Sequence, residues 1–353
     1  MDHAGSRAFA GSTGIAVKNP SIAGVAVKFP PNRYTQSEAI RALTDSARGG
    51  GTECRNTALR PPRYRELSGF TEADDAYLEV ALELAEQALV AALDEAMVKP
   101  SELDIVFSTT VAGPALEARL STRVGLRPDV KRLPLFGPGS LAGATGVARM
   151  HDYLRVFPDQ TAAVLAVERC SLTVQRRGNS VANFVATGLL GDGAAAVITE
   201  GAHRAGREPT GPRVLATRSR SYPDTGEVMG WKIGGDGFRI VVSADVATIA
   251  QKYLGDDVRD FLADHGLTPD DVTTWICHPG GPRVIETVES VLNLPPDALD
   301  LTRNSLRTNG NLSSVSVLDV LAANMADPPP PGAIGLMIAM GPAFCSELVL
   351  LAW

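Results

Sequence analysis

A duplicated α/β fold, five-layered with helices and two mixed sheets in an αβαβα stack, is expected of this chain for three reasons. A long amphipathic stretch runs into a proline and then a short apolar strand. That order is written again nearly half the chain later. Each copy then reaches, after nearly equal intervals, a helix start followed by two apolar strands.

Taken in order, apolar residues recur at helical spacing from Thr71 to Val98, with Leu78, Leu82, Ala85, Leu89 and Ala92 on one face and Thr71 and Asp74 placed as an N-cap pair. Pro100 breaks this helix, and Ile105, Val106 and Phe107 read as a buried strand. In the second copy DDVRDFLADHG is the helix-like run, Pro269 takes the role of Pro100, and Trp275, Ile276 and Cys277 form the strand. Ser140 then opens LAGATGVARMHDYL, and Asn311 stands before the run SSVSVLDVLAANM. Ala162 to Val167 and Ala333 to Ala339 read as the next strands, with AAAVI and ELVLLAW after them. The small residues Ala142, Gly143, Ala144 and Gly146 in one helix, and Ser313, Ser314 and Ser316 at the other, allow the two to approach closely between the sheets. The expected division is a flexible segment over 1–20, a first half over 21–205 and a second over 206–353, joined through the polar stretch Gly201 to Gly211.

The 353 residues are 44% hydrophobic and 21% charged, which is ample for a large core, and the net charge is −7. No long basic run is present, so neither nucleic acid nor an anionic membrane is an expected partner. No stretch is apolar for long enough to span a bilayer, and the opening MDHAGSRAFAGSTG lacks the basic and apolar parts of a secretion signal, which points to the cytoplasm. Cys54, Cys170, Cys277 and Cys345 are scattered without CxxC spacing, so neither a metal site nor a disulfide framework is indicated.

Three positions draw attention as chemistry. Ser140, in LFGPGSLAGATG, sits at a glycine-bounded turn before a helix, where a nucleophile would project toward a cleft and meet the N–H groups of the helix start; a serine there equally serves as a cap. His278, in CHPGGP, ends a strand on a rigid loop at the carboxyl edge of a sheet, the place where α/β active sites collect, though a core histidine fits as well. Asn311, in RTNGNLSS, can offer an amide hydrogen bond to an oxyanion, or simply close a turn.

FGPGSLAGATG, CHPGGP, NGNLSSVSVL, GLLGDGAAAVI and MGPAFCSELVLLAW, in this order and at these intervals, resemble the type III polyketide synthases of the chalcone synthase type. The resemblance runs from about Ser21 to Trp353 and implies a thiolase-like fold, a homodimer, and acyl-CoA and malonyl-CoA as substrates with no permanently bound cofactor. In that family the turn before the first helix carries a nucleophilic cysteine, the histidine activates it, and histidine and asparagine form the oxyanion hole. Carried over, these are Ser140, His278 and Asn311. The resemblance further implies a substrate pocket walled by Thr110, Glu168, Cys170, Thr173, Leu190, Ile240 and Ser313, and coenzyme A contacts at a tunnel mouth, for which Gly280, Gly281 and, from CRNTALRPPRYRE, Arg55, Arg60 and Arg63 are candidates, the arginine-bearing segment reading equally as a solvated basic loop. The reaction implied is iterative decarboxylative condensation. Aliphatic Leu190 and Ile240, where relatives have aromatic gatekeepers, tilt the expectation toward an aliphatic starter and a pyrone or resorcinol product, with an all-malonyl product open.

Two departures stand out: Ser140 replaces the cysteine, and Ala343 replaces a glycine in MGPAF. Cys170 is at the wrong interval from His278 to serve as a substitute nucleophile. The serine has two readings, an engineered exchange that traps a complex, which is preferred, or a natural variant that decarboxylates but condenses poorly. Two rivals are a ketoacyl synthase fed by acyl carrier protein and an inactive binding homologue.

Overall fold

The structure, a computed structural model, describes residues 19–38, 53–57, 70–110, 116–173, 189–204, 211–226, 228–234, 237–243 and 245–353, with the backbone alone at 70–77, 172–173 and 231–242. In the first half these form β1 (Ser21–Lys28), β2 (Asn32–Thr35), β3 (Cys54–Thr57), α1 (Phe70–Glu95), β4 (Ile105–Thr109), α2 (Leu116–Val124), β5 (Lys131–Leu135), α3 (Ala142–Val156), β6 (Thr161–Arg169) and β7 (Asp192–Glu200). The second half has β8 (Arg213–Ser221), β9 (Met229–Gly234), β10 (Gly237–Val242), α4 (Val246–Ala263), β11 (Val272–Cys277), α5 (Pro282–Leu292), α6 (Asp300–Asn309), α7 (Ser314–Ala326), β12 (Ile334–Gly341) and β13 (Cys345–Ala352).

The duplication is visible strand by strand. The first half orders its strands β1-β7-β6-β4-β5, the second β8-β13-β12-β11. β4 runs parallel to β6 as β11 does to β12, and the β6–β7 and β7–β1 pairs are antiparallel, as are β12–β13 and β13–β8. One point differs from the expectation of a sheet in each half: the equivalent edges β1 and β8 meet at Ser21 and Arg213, giving a single nine-stranded sheet. Ile22 N–H donates to the Pro212 carbonyl and Val214 N–H to that of Pro20, each at 2.9 Å, so two edges that would otherwise expose main-chain groups satisfy each other.

Three cores separate the five layers. Leu82, Ala85, Leu89 and Ala92 of α1 pack on Ala163, Leu165 and Ala196 on the outer face of the first half. α4 and α5 do the same in the second half, where Leu254, Phe261 and Val288 meet Trp275, Leu336 and Leu350. Between them α3 and α7 share one core with both sets of strands, Val164 and Val197 from one and Met337 and Val349 from the other. Both helices are buried along most of their length, as their small residues led us to expect. At Gly143 a Cβ would fall 2.2 Å from the Ser314 carbonyl oxygen, so the crossing of α3 over α7 requires glycine there.

Two local expectations are corrected. α1 already runs at Phe70, so Thr71 lies in its first turn and is not its cap. Nor does Pro100 end that helix, which stops at Glu95 ahead of Met97 at φ 50°. Pro100 instead opens a 3₁₀ turn, Pro100–Glu102, and Pro269 opens its twin, Pro269–Asp271. In each a carboxylate reaches back to the cap N–H at 2.8 Å, Glu102 to Lys99 and Asp271 to Thr268. The expected flexible start, up to residue 18, and residues 205–210 of the linker lie outside the described residues. Among the described residues no helix is long and apolar enough to cross a membrane.

Candidate active site

Ser140 owes its place to two glycines with left-handed backbone, Gly137 (φ 110°) and Gly139 (φ 56°), which swing the chain from β5 into the 3₁₀ turn Gly139–Leu141 at the head of α3. Its side chain is buried, and Oγ donates to the Met340 carbonyl at 3.2 Å. The end of β12 presses on this turn: a Cβ on Gly341 would lie 2.6 Å from the Pro138 carbonyl oxygen.

His278 follows the last residue of β11, and its N–H donates to the Ile338 carbonyl of β12 at 2.8 Å. Carbonyls two apart on a strand face the same edge at a spacing of roughly 7 Å. β12 outlasts β11, so the Ile338 carbonyl holds His278 and the next one along that edge, Met340, is left for Ser140. The imidazole is 5% exposed, and among the described residues neither ring nitrogen has a hydrogen-bond partner. Burial pushes its pKa down to about 4, so at neutral pH the ring is uncharged, with one donor and one acceptor nitrogen.

Asn311 is fixed from three directions. α6 closes on Gly310 (φ 77°), where a Cβ would sit 2.6 Å from the Leu189 carbonyl oxygen. Asn311 N–H donates to that carbonyl at 2.7 Å, and its own carbonyl accepts from Gly191 N–H at 3.0 Å, forming a bridge across Leu190. Ser313 N–H donates to Oδ1 at 2.8 Å, which settles the orientation of the amide and turns Nδ2 toward the Gly280 carbonyl at 3.3 Å. Gly280 in turn donates its N–H to the His278 carbonyl at 2.9 Å, so the asparagine amide reaches the loop that carries the histidine.

The other expected residues divide. Glu168, wholly buried at the end of β6, accepts from Ser314 Oγ at the start of α7. Cys170 is buried beside Leu190. Burial, helped by the Glu168 and Asp192 carboxylates, pushes its thiol well above the ordinary range, the opposite of what a nucleophile needs. Thr110 follows β4 at the position His278 holds after β11, and Ser313 (φ 53°) precedes α7. Ile240 pairs with Trp231 in the β9–β10 hairpin; its side chain and that of Thr173 are outside the described part, as are Arg60 and Arg63 altogether. Gly280 and Gly281 form the loop between His278 and α5. Arg55, a candidate for coenzyme A at a tunnel mouth, is 1% exposed on β3 and donates through Nη1 to the Leu190 carbonyl at 3.2 Å, which supports the Leu190 bridge.

Some of what builds the site escaped sequence reasoning. The Met340 carbonyl carries no residue signature. The Glu168–Ser314 bond joins two halves of the chain, and nothing local announces it. Ala343 has a left-handed backbone (φ 57°), a conformation that suits the glycine the family resemblance led us to expect in that turn.

Comparison with known proteins agrees over nearly the whole chain. Residues 66–203 match the family profile of the chalcone and stilbene synthase N-terminal domain, and residues 214–352 that of the C-terminal domain. A 1,3,6,8-tetrahydroxynaphthalene synthase of Streptomyces peucetius is 47% identical, covering 95% of this chain and 94% of the relative. A putative chalcone synthase of Bacillus subtilis is 31% identical over 89% of each. The crystal structure of the tetrahydroxynaphthalene synthase of Streptomyces coelicolor, a bacterial type III polyketide synthase, superposes with a TM-score of 0.86 at 25% identity, covering 94% of this chain and 99% of that one. With its duplicated thiolase-like architecture and both family domains matched, the chain belongs to the chalcone and stilbene synthases, the type III polyketide synthases, and is an acyltransferase.

Proposed function

We propose that His278 and Asn311 form the oxyanion hole of iterative malonyl-CoA condensation, that Ser140 stands at the acyl-carrying position, and that this serine impairs the chain at acyl transfer. The observation that carries the reading is the neutral imidazole of His278, without a partner among the described residues and tied through Gly280 to the Asn311 amide. In the reaction an acyl group passes from the sulfur of coenzyme A to the nucleophile. Malonyl-CoA then loses carbon dioxide, and the negative charge that develops on the thioester oxygen meets the His278 N–H and the Asn311 Nδ2–H. The enolate carbon attacks the enzyme-bound acyl carbonyl, and the nucleophile leaves.

A thiol gives up its proton near neutrality, whereas a hydroxyl does not, and an imidazole of pKa about 4 is too weak a base to take it. Decarboxylation asks nothing of Ser140 and should persist. Arg60 and Arg63, with the Gly280–Gly281 loop, remain the candidates for coenzyme A.

The relative at 47% identity favours malonyl-CoA as both starter and extender, with a tetrahydroxynaphthalene as product. Aliphatic Leu190 and Ile240 favour a second reading, an aliphatic acyl starter. Mass spectrometry of Ser140→Cys protein given malonyl-CoA alone, and then with a panel of acyl-CoAs, separates them. Product from malonyl-CoA alone supports the first and product only with a starter the second. No product from either sinks the proposal.

A homodimer fits the surface beside this site. β5 is an edge strand, and Leu133, Phe136, Val156 and Phe157 expose a patch next to it, Phe136 at 70%. Light scattering at micromolar concentration that returned the mass of one 37.1 kDa chain would refute it.

A further inference from the structure

Asp319 takes no part in the reaction just described, and its setting needs an explanation. It is the single charge in the run from Val315 to Met325 on α7, and burial draws its carboxyl above the usual range. One oxygen, Oδ2, accepts two hydrogen bonds from α6: Ser305 Oγ at 2.6 Å and Asn309 Nδ2 at 3.0 Å. Gly310 to Ser313 are all that separate Asn309 from the start of α7, and Asn311 lies in that loop. Leu312 N–H, donating to Ser316 Oγ at 2.7 Å, ties the far end of the loop, and the bridge to Leu189 and Gly191 supports its back. The near end is held by Asp319.

We infer that Asp319 is a positioning residue for Asn311, clasping the end of α6 to α7 and so setting where the Asn311 amide presents its N–H. The inference rests on the oxyanion role proposed for Asn311. α7 is the right reference body, because its Ser314 carbonyl meets Gly143 of α3, the helix headed by Ser140. A clasp through Asp319 therefore fixes the amide relative to the reacting centre, where a displacement of about 1 Å can cost up to about 10²-fold in rate. The clasp needs an acceptor and not a charge. Both donors share one oxygen, so the carbonyl of an asparagine in the same place accepts both.

The test follows malonyl-CoA decarboxylation to acetyl-CoA, in the chain as given and in Ser140→Cys protein. Asp319→Ala is expected to lower kcat about 10-fold with KM within about two-fold, while Asp319→Asn stays within about two-fold of the parent. Asn311→Ala is expected to lose roughly 10²-fold, and adding Asp319→Ala to it should cost nothing more. An unchanged kcat in Asp319→Ala overturns the inference. So does an Asp319→Asn protein as slow as the alanine variant, or an equal Asp319→Ala loss in the Asn311→Ala background. Should Asp319→Ala not fold, Asn309→Ala removes one arm of the clasp and should lower kcat about three-fold at constant KM, and no change there overturns the inference equally. If Asn311→Ala alone leaves the rate intact, or if no decarboxylation occurs in either parent, the oxyanion reading itself falls, whatever Asp319 does.

Discussion

Thr110 in the first half and His278 in the second occupy the same place, one residue past a parallel strand that follows a proline-led 3₁₀ turn. The scaffolds agree down to the carboxylate that reaches back to the cap N–H. Their chemistry does not. The first half contributes the turn with Ser140, the position proposed to carry the acyl group, and a buried carboxylate, Glu168; the second contributes an uncharged histidine and an oriented amide. Duplication thus supplied two equal frames, and the site arises where they cross, at α3 and α7. Neither half holds it alone.

The largest expected effect comes from exchanging the chemistry of one half only. Ser140→Cys should raise acyl-enzyme formation by several orders of magnitude, since a thiolate is available where an alkoxide is not, while malonyl-CoA decarboxylation changes little. Coenzyme A release and acetyl-CoA formation, measured on both proteins, check the division; acylation at equal rates in the two would end it.

Next comes the pH response of the second half. His278 titrates near 6.5 when unfolded and about 4 when folded, so between those values the unfolded chain binds more protons. Stability then falls as pH drops from 6.5 toward 4, by up to roughly 3 kcal/mol, and is unaffected by this group above that window. His151 and His265, also lowered by burial, contribute in the same direction. His278→Gln leaves those two in place, so urea titrations of both proteins at pH 7 and pH 5 isolate the His278 share. Identical losses on acidification would show that its burial is not what the structure describes.

Gly143→Val attacks the crossing itself. With a Cβ 2.2 Å from the Ser314 carbonyl, α3 and α7 must part, at an expected cost of about 1–3 kcal/mol in stability. Chemical denaturation reads it directly, and an unchanged midpoint would mean that the helices are not in contact there. The smallest effect is expected at Cys170. Placed in Ser140→Cys protein, Cys170→Ala should leave coenzyme A release within about two-fold and, if Cys170 lines the pocket as expected from the resemblance, alter the product pattern instead, because a thiol raised by burial and two carboxylates is unsuited to be a nucleophile. Loss of acyl-enzyme on this change alone would reassign the nucleophile.

How much of this was readable beforehand follows from the range of the interactions. The repeat of helix, proline and strand is local, so Leu82 to Ala92, Pro100 and Pro269 announced the duplicated frame. The joining of β1 to β8 was not readable, because an edge pair between distant strands leaves no periodicity behind. Ser140, His278 and Asn311 stand in glycine-rich turns that mark themselves, whereas their convergence depends on the Met340 carbonyl and the Gly280 carbonyl, which any residue could supply. The burial of Arg55 was not legible, because a basic segment looks solvated in sequence and its bond to Leu190 is a long-range contact. Asp319 could have been found, as a lone carboxylate in an apolar helical run asks what it is bonded to.

The shared middle layer also sets an order for the making of the protein. During synthesis the first half leaves the ribosome with α1 available to cover one face of its strands and α3 to cover β4 and β6 on the other, where Gly146 meets Val164, but the inner face of β1 and β7 and the far flank of α3 wait for α7, which emerges much later. The nascent chain therefore carries Val25, Val197 and the flank of α3 without their later cover through the translation of the whole linker, α4, α5 and α6. Until that helix and then β12 arrive, the turn holding Ser140 lacks the two elements it closes against, and the candidate active site is among the last parts of the chain to form.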